Sequence, residues 1–184
     1  MPILLRPVQA SDAEVIAKIY APSVESTAFT FETEIPGRDE FRARIQKLDG
    51  IFPWFVAEEN GSVVGYAYAS PHRERAAYRW SVEVSVYVDS QHLKKGIARL
   101  LYVRLIESLK LQGFYNAYAG ITLPNEPSVK LHESFGFKAI GTYQNIGFKL
   151  GQWHDVGWWG LTLQTPALHP QEPLPTSALR KITD

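Results

Sequence analysis

The run Leu93-Lys94-Lys95-Gly96-Ile97-Ala98-Arg99 sets a bare glycine between two lysines and the start of a helical pattern. The chemistry open to such a run is anion binding. A strand that hands over to a helix leaves backbone N–H groups unpaired, and the helix dipole adds positive potential at the same place. Gly96 lets a ligand approach the backbone, Lys94, Lys95 and Arg99 add cationic charge, and Ala98 keeps the helix start slim. A tight turn alone would also use a glycine here, and the run matches neither the phosphate-loop pattern nor the multi-glycine dinucleotide fingerprint. Upstream, Glu83 sits near the centre of the apolar segment Trp80 to Val88, where desolvation raises a carboxyl towards the range of a general base; a structural carboxylate bonded to nearby backbone is the competing reading. Arg73 and Arg75 precede it and can grip a carboxylate by bidentate contacts, or serve as ordinary surface arginines. His132, on a short predicted helix, can give or take a proton near neutrality; a lone histidine is as often structural.

Composition narrows the chemistry. The 184 residues contain no cysteine, which excludes disulfides, thiolate metal sites and covalent catalysis through a thiol. Nineteen basic side chains balance nineteen acidic ones, so no global field favours nucleic acid, and no local basic patch stands out. The first apolar segment is too short for a signal peptide and nothing reaches membrane-span length, so cytoplasmic residence without a membrane partner is expected.

The elements that must position these residues follow from pattern. Ile3 to Val8 reads as a strand, and Ser11-Asp12-Ala13-Glu14 has capping-box spacing for a helix through about Tyr20. Ala21 to Pro36 has no persistent period and reads as an irregular connection, unusually rich in aromatics; long ordered loops are often functional. Phe41, Ile45 and Leu48 share one face of a helix over Arg38 to Leu48, stopped by Asp49-Gly50. Phe52 to Glu58 and Val63 to Ala69 flank Asn60-Gly61, a hairpin signal. Trp80 to Val88, a helix from about Gly96 to Leu111 capped by Gly113, and Tyr115 to Thr122 make a βαβ unit with two parallel strands. Pro127 opens a short helix, Ser128 to Phe135, ended by Gly136. Strands Phe137 to Ile146 and Val156 to Leu163 follow, joined through Gly147 to Asp155. Beyond Gln164 four prolines interrupt all periodicity, so residues 165–184 are expected to form a mobile tail after a domain of residues 1–164.

Leu93 to Ala98 resembles the Arg/Gln-x-x-Gly-x-Gly/Ala signature of the GNAT superfamily of acyl-CoA-dependent N-acetyltransferases, with Leu93 where arginine or glutamine is usual. Asn125-Glu126-Pro127-Ser128 followed by His132-Glu133-Ser134-Phe135-Gly136-Phe137 is similar to that superfamily's Asn-x-x-Ala/Ser helix ending in Gly-Phe. Glu83 to Val88, Gln112-Gly113-Phe114, Gly147-Phe148-Lys149 and Trp153 to Gly157 resemble the branch that acetylates phosphinothricin, methionine sulfoximine and methionine sulfone. The resemblance implies an α/β fold of α+β type: a central, mostly antiparallel mixed sheet with one splayed parallel pair, flanked by helices. It implies acetyl-CoA as donor cosubstrate, no metal, and a homodimer. Within it, Val86, Tyr87 and Val88 would meet the acyl arm, while Lys94, Lys95, Gly96, Ile97, Ala98 and Arg99 would wrap the pyrophosphate. Asn125 and Ser134 would lie along the arm, and Phe31, Arg73, Glu74, Arg75, Glu83, Val84 and Ser85 around the acceptor.

Acetyl transfer to an amine needs a neutral nucleophile, a donor to the developing oxyanion and a proton for the leaving thiolate. The resemblance favours Glu83 as base in a direct ternary-complex attack, with the Val86 amide on the oxyanion. His132 stands where the superfamily often has a tyrosine acid. Phe29, Phe31, Tyr78 and Trp80 wall a pocket or belong to the core, and Trp153, Trp158 and Trp159 serve core packing, a homodimer contact or both. A peptide N-terminus or a polyamine is an alternative acceptor, and a non-catalytic acyl-CoA sensor an alternative role.

Overall fold

The structure, a computed structural model, describes residues 2–179. Its framework is a seven-stranded sheet in the order β1-β2-β3-β4-β5-β7-β6. The strands are β1 (Leu4–Pro7), β2 (Trp54–Glu59), β3 (Ser62–Pro71), β4 (Ser81–Val88), β5 (Asn116–Leu123), β6 (Lys138–Lys149) and β7 (Gln152–Thr162). Every neighbouring pair is antiparallel except β4 and β5. Helices α1 (Ala13–Glu25) and α2 (Arg38–Leu48) cover one face; α3 (Ile97–Gln112) covers the other, and α4 (Glu126–Ser134) follows β5.

Alternation along the strands divides two cores. Trp54, Val56 and Tyr66 meet Ile16, Tyr20, Phe41 and Ile45 on the α1–α2 side. Phe55, Ala67, Val82 and Ala117 meet Leu101, Tyr102, Leu105 and Leu109 on the α3 side. Leu101, Leu105 and Leu109 are fully buried, each worth about 1.5–3 kcal/mol relative to exposure. This clamps α3 firmly and fixes its N-terminus at the end of β4.

The elements expected from the sequence are present with shifted ends. The backward-reaching cap is made by Asp12, whose Oδ2 accepts from Gln9 N at 2.8 Å, while Glu14 pairs with Lys18. Helix α1 runs on through Pro22 to Glu25, because Ile16, Ile19, Tyr20 and Val24 keep one buried stripe and a proline near the last turn removes only one backbone bond. The β6–β7 ladder continues to Lys149 and Gln152 and closes over Leu150 and Gly151, both at positive φ, so the connection is far tighter than Gly147 to Asp155.

The proline-rich stretch expected to be mobile is docked as far as it is described. Leu174 N donates to Gln112 O at 2.7 Å, Gln112 Nε2 returns a bond to Leu174 O at 2.6 Å, and Trp80 Nε1 donates to Gln171 O at 2.8 Å. A short helix, α5 (Thr176–Leu179), packs on α3. A proline-rich chain lacks internal periodicity yet can satisfy its carbonyls on a neighbour. The part of the expectation concerning 180–184 lies outside the described residues.

Candidate active site

Strands β4 and β5 pair only at Ser81–Asn116, Val82–Ala117 and Glu83–Tyr118, then part. From Val84 onward the β5-facing edge of β4 has no strand partner, so its amides on that side are free to pair with an extended ligand. The opening is a cavity of about 410 Å³ lined by Val84, Val86, Val88, Ala119, Ile121 and Leu131. Ser85, Tyr87, Ala98 and Asn125 also border it. The Tyr87 ring packs into the core beside Tyr20 at 4.9 Å and Tyr66 at 5.3 Å.

At the far end of β4 the chain turns through Lys94 (φ 61°) and Gly96 (φ 79°) into α3. A Cβ at Gly96 would meet nothing within 4 Å, so the left-handed backbone, rather than lack of room, requires glycine. The Ile97 side chain is buried, which leaves its amide as its offering to a ligand. Leu93 is exposed at the rim of the cavity. Lys95 Nζ lies 3.4 Å from Glu59 Oε2, and Arg99 donates to Ser134 Oγ at 3.4 Å, so α3 and α4 meet over a cation. Asn125 caps α4 through Oδ1, accepting from Ser128 N at 3.3 Å, and its Nδ2, bordering the cavity, makes no hydrogen bond among the described residues.

At the near end, Glu83 Oε1 accepts from Arg73 Nη1 at 3.1 Å and pairs with His72 Nδ1 at 3.0 Å. Ser85 lies next along β4, beside Tyr68 on β3. Arg73 also lies over the Trp158 ring, 5.7 Å from its centroid. Glu74 and Arg75 belong to the exposed turn before the 3-10 turn Ala76–Tyr78, and no side-chain bond joins them to Glu83. Phe31 sits under the β6–β7 hairpin: a Cβ at Gly147 would collide with its ring, and the His154 ring is 6.3 Å away. Lys149, buried in the same hairpin, donates to Thr30 O at 2.8 Å and Ser23 O at 3.4 Å, and burial lowers its pKa. The hairpin thus holds the 26–37 loop, whose Ser26, Thr27 and Phe29 border the cavity.

His132 is almost fully buried, and its ring is held from both sides. Nδ1 donates to Ser128 O at 2.7 Å, so Nε2 is the acceptor for the Tyr102 hydroxyl at 2.9 Å. Burial lowers the His132 pKa and raises that of Tyr102, which keeps both neutral. Both border the cavity, and the Tyr102 O–H is the proton-bearing group of the pair that is aimed at histidine.

The sequence does not single out Tyr102 or His72, and it shows Lys149 only as a letter of the Gly147-Phe148-Lys149 match, with no role. Tyr102 follows Ala98 by four on α3, a spacing that places it on the same helical face and would have found it. His72 and Lys149 gain their partners only through strand pairing and loop docking, for which no local pattern exists. The three tryptophans do not form one surface: Trp158 and Trp159 alternate across the sheet, Trp159 buried and Trp158 beside Arg73, while Trp153 is exposed. No group of three or more His, Asp or Glu able to hold a metal occurs among the described residues, and none of their helices is long and apolar enough to cross a membrane.

An open strand edge, an apolar channel and a cationic helix start in line suit an extended amide-bearing chain with an anionic end. Residues 5–158 match the acetyltransferase (GNAT) domain model. The chain is 41% identical over 166 residues to phosphinothricin N-acetyltransferase of Streptomyces viridochromogenes, covering 90% of this chain and 91% of that one. It is 35% identical to the L-methionine sulfoximine/L-methionine sulfone acetyltransferase of Salmonella typhimurium, over 85% of this chain and 92% of that protein. The fold superposes with a TM-score of 0.89 at 35% identity on the crystal structure of a GNAT superfamily phosphinothricin acetyltransferase from Sinorhizobium meliloti in complex with AcCoA, covering 95% and 96% of the two chains. With the mixed sheet and its single parted parallel pair, these matches make the chain a member of the GNAT family of acetyltransferases.

Proposed function

We propose that this GNAT acetyltransferase moves the acetyl group of acetyl-CoA to the α-amine of a small amino-acid-like acceptor of the phosphinothricin, methionine sulfoximine or methionine sulfone type, by direct attack in a ternary complex. The observation that carries this reading is the placing of Arg73 3.1 Å from Glu83, which stands on the last paired rung of β4 and β5, one residue before the cavity-lining Val84. A carboxylate base and a guanidinium for the acceptor's own carboxylate then stand within one small molecule's reach. The names of the Streptomyces and Salmonella relatives support the acceptor class.

Acetyl-CoA, when bound, supplies the activated thioester. The open amides of β4 near Val86 and Val88 hold its arm, Asn125 Nδ2 adds a donor, and the free amides of Gly96 to Arg99 with Lys94 take the diphosphate. Glu83 Oε2 takes the proton of the acceptor ammonium, directly or through water. The Val86 amide donates to the oxygen that gains charge. As the C–S bond breaks, the Tyr102 O–H turns from His132 Nε2 to the leaving thiolate and gives it the proton, and the proton shed by the newly acylated nitrogen restores the tyrosine. Phe31, Val84 and Ser85 bound the acceptor space. On the edge strand β6 and its turn, Ile140, Tyr143, Ile146, Phe148 and Leu150 are exposed, with Trp153 exposed at the start of β7, which supports a homodimer through the hairpin.

The reading is tested by CoA-thiol release with phosphinothricin, methionine sulfoximine and methionine sulfone. Turnover with at least one is expected; no turnover with any of them overturns the acceptor class.

A further inference from the structure

The geometry points to His72 as a positioning residue for Glu83: its imidazole holds one carboxylate oxygen so that the other is presented for proton transfer. Glu83 accepts no proton-bearing partner at Oε2 among the described residues, whereas Oε1 receives both His72 Nδ1 at 3.0 Å and Arg73 Nη1 at 3.1 Å. An ionised carboxylate only accepts, so His72 Nδ1 is the donor, and the ring's tautomer is set by Glu83.

The two donors are not equivalent. The Arg73 side chain is 47% exposed, and its guanidinium also reaches the His72 carbonyl at 2.9 Å. The His72 side chain is 16% exposed and caged by rings from three elements. Tyr118 of β5 lies 4.6 Å away, Tyr78 of the 3-10 turn 5.9 Å, and Trp158 of β7 6.0 Å, the last two edge-on. Tyr118 is also the residue opposite Glu83 in the last rung before β4 and β5 part. The cage therefore fixes the imidazole at the point where the cavity opens. When an acceptor carboxylate draws Arg73 away, His72 is the donor that stays on Oε1, and the carboxylate keeps its orientation.

This inference rests on Glu83 being the base, and a double-mutant cycle separates the two claims. His72→Phe keeps an aromatic ring in the cage and deletes the donor; His72→Asn keeps an N–H near the position of Nδ1. The expected result for His72→Phe is a kcat lower by about ten- to a hundredfold, the range for a hydrogen bond to a charged group, with the KM for acetyl-CoA unchanged. His72→Asn restores most of that loss, and His72→Phe placed in Glu83→Gln costs nothing further. If His72→Phe destabilises the fold, His72→Leu in the same cycle carries the test. Equal loss in both backgrounds, or an Asn variant as impaired as the Phe variant, assigns His72 to packing alone and overturns the inference while leaving Glu83 as base. A Glu83→Gln enzyme with wild-type kcat removes the base and the positioning role together.

Discussion

The two ends of the cavity are built by different means. The cosubstrate end is made of backbone: an unpaired strand edge, a left-handed glycine and the first turn of a helix clamped by buried leucines. The acceptor end is made of side chains gathered from β3 and its following turn, β4, β5, β7 and the 26–37 loop. Backbone donors are indifferent to residue identity, so Leu93 can stand where the signature has a charged or amide residue without removing a diphosphate ligand. Side-chain donors have no such tolerance, and the acceptor end should respond to single substitutions far more sharply.

The largest effect is expected for Glu83→Gln: kcat falls about 100- to 10,000-fold with acetyl-CoA affinity intact by calorimetry. A loss confined to KM would move Glu83 from chemistry to binding. Next, Gly96→Val forces a branched residue into φ 79°, at a cost of roughly 1–2 kcal/mol or more, and weakens acetyl-CoA binding about tenfold while sparing the KM of the acceptor. Unchanged acetyl-CoA affinity in this variant would contradict the backbone account of that end.

Gly147→Ala is expected to act on the opposite end. Its new methyl displaces the Phe31 ring at a cost of about 1–3 kcal/mol, raising the KM of the acceptor and not that of acetyl-CoA. A change in both constants would show that the hairpin supports the whole cavity rather than the loop.

The smallest effect concerns pH. Burial holds His132 below the ordinary imidazole value of about 6.5, so the unfolded chain binds the proton more readily than the folded one. The neutral ring's contribution is fully present above that value and is lost as pH falls below it. Thermal melts from pH 7.5 down to pH 5 should show a steeper decline for wild type than for His132→Phe; parallel curves would mean the ring is not kept neutral by the fold.

The same contrast explains what the sequence discloses. Gly96, the βαβ pattern around it and the Asn125 helix are local in the chain, and they name the cosubstrate end at once. Glu83 and Arg73 are legible as chemistry, but the aromatic cage of His72 needs the pairing of β3, β4, β5 and β7, which no window of residues contains. Helix α1 extends beyond Pro22 because its buried stripe outweighs one lost bond, and Lys149 finds Ser23 and Thr30 only through a contact spanning more than a hundred residues. The tail beyond Gln164 looks featureless in composition because its described part draws its order from α3.

Whether Arg73 and Glu83 together select and deprotonate a carboxylate-bearing amine is decided by one ratio. It is kcat/KM for methionine sulfone divided by that for the same amine lacking its carboxylate, followed as CoA-thiol release. A ratio of about a hundred or more is expected in wild type, collapsing in Arg73→Ala. Equal rates with the two amines, or a ratio unmoved by Arg73→Ala, would contradict that joint role.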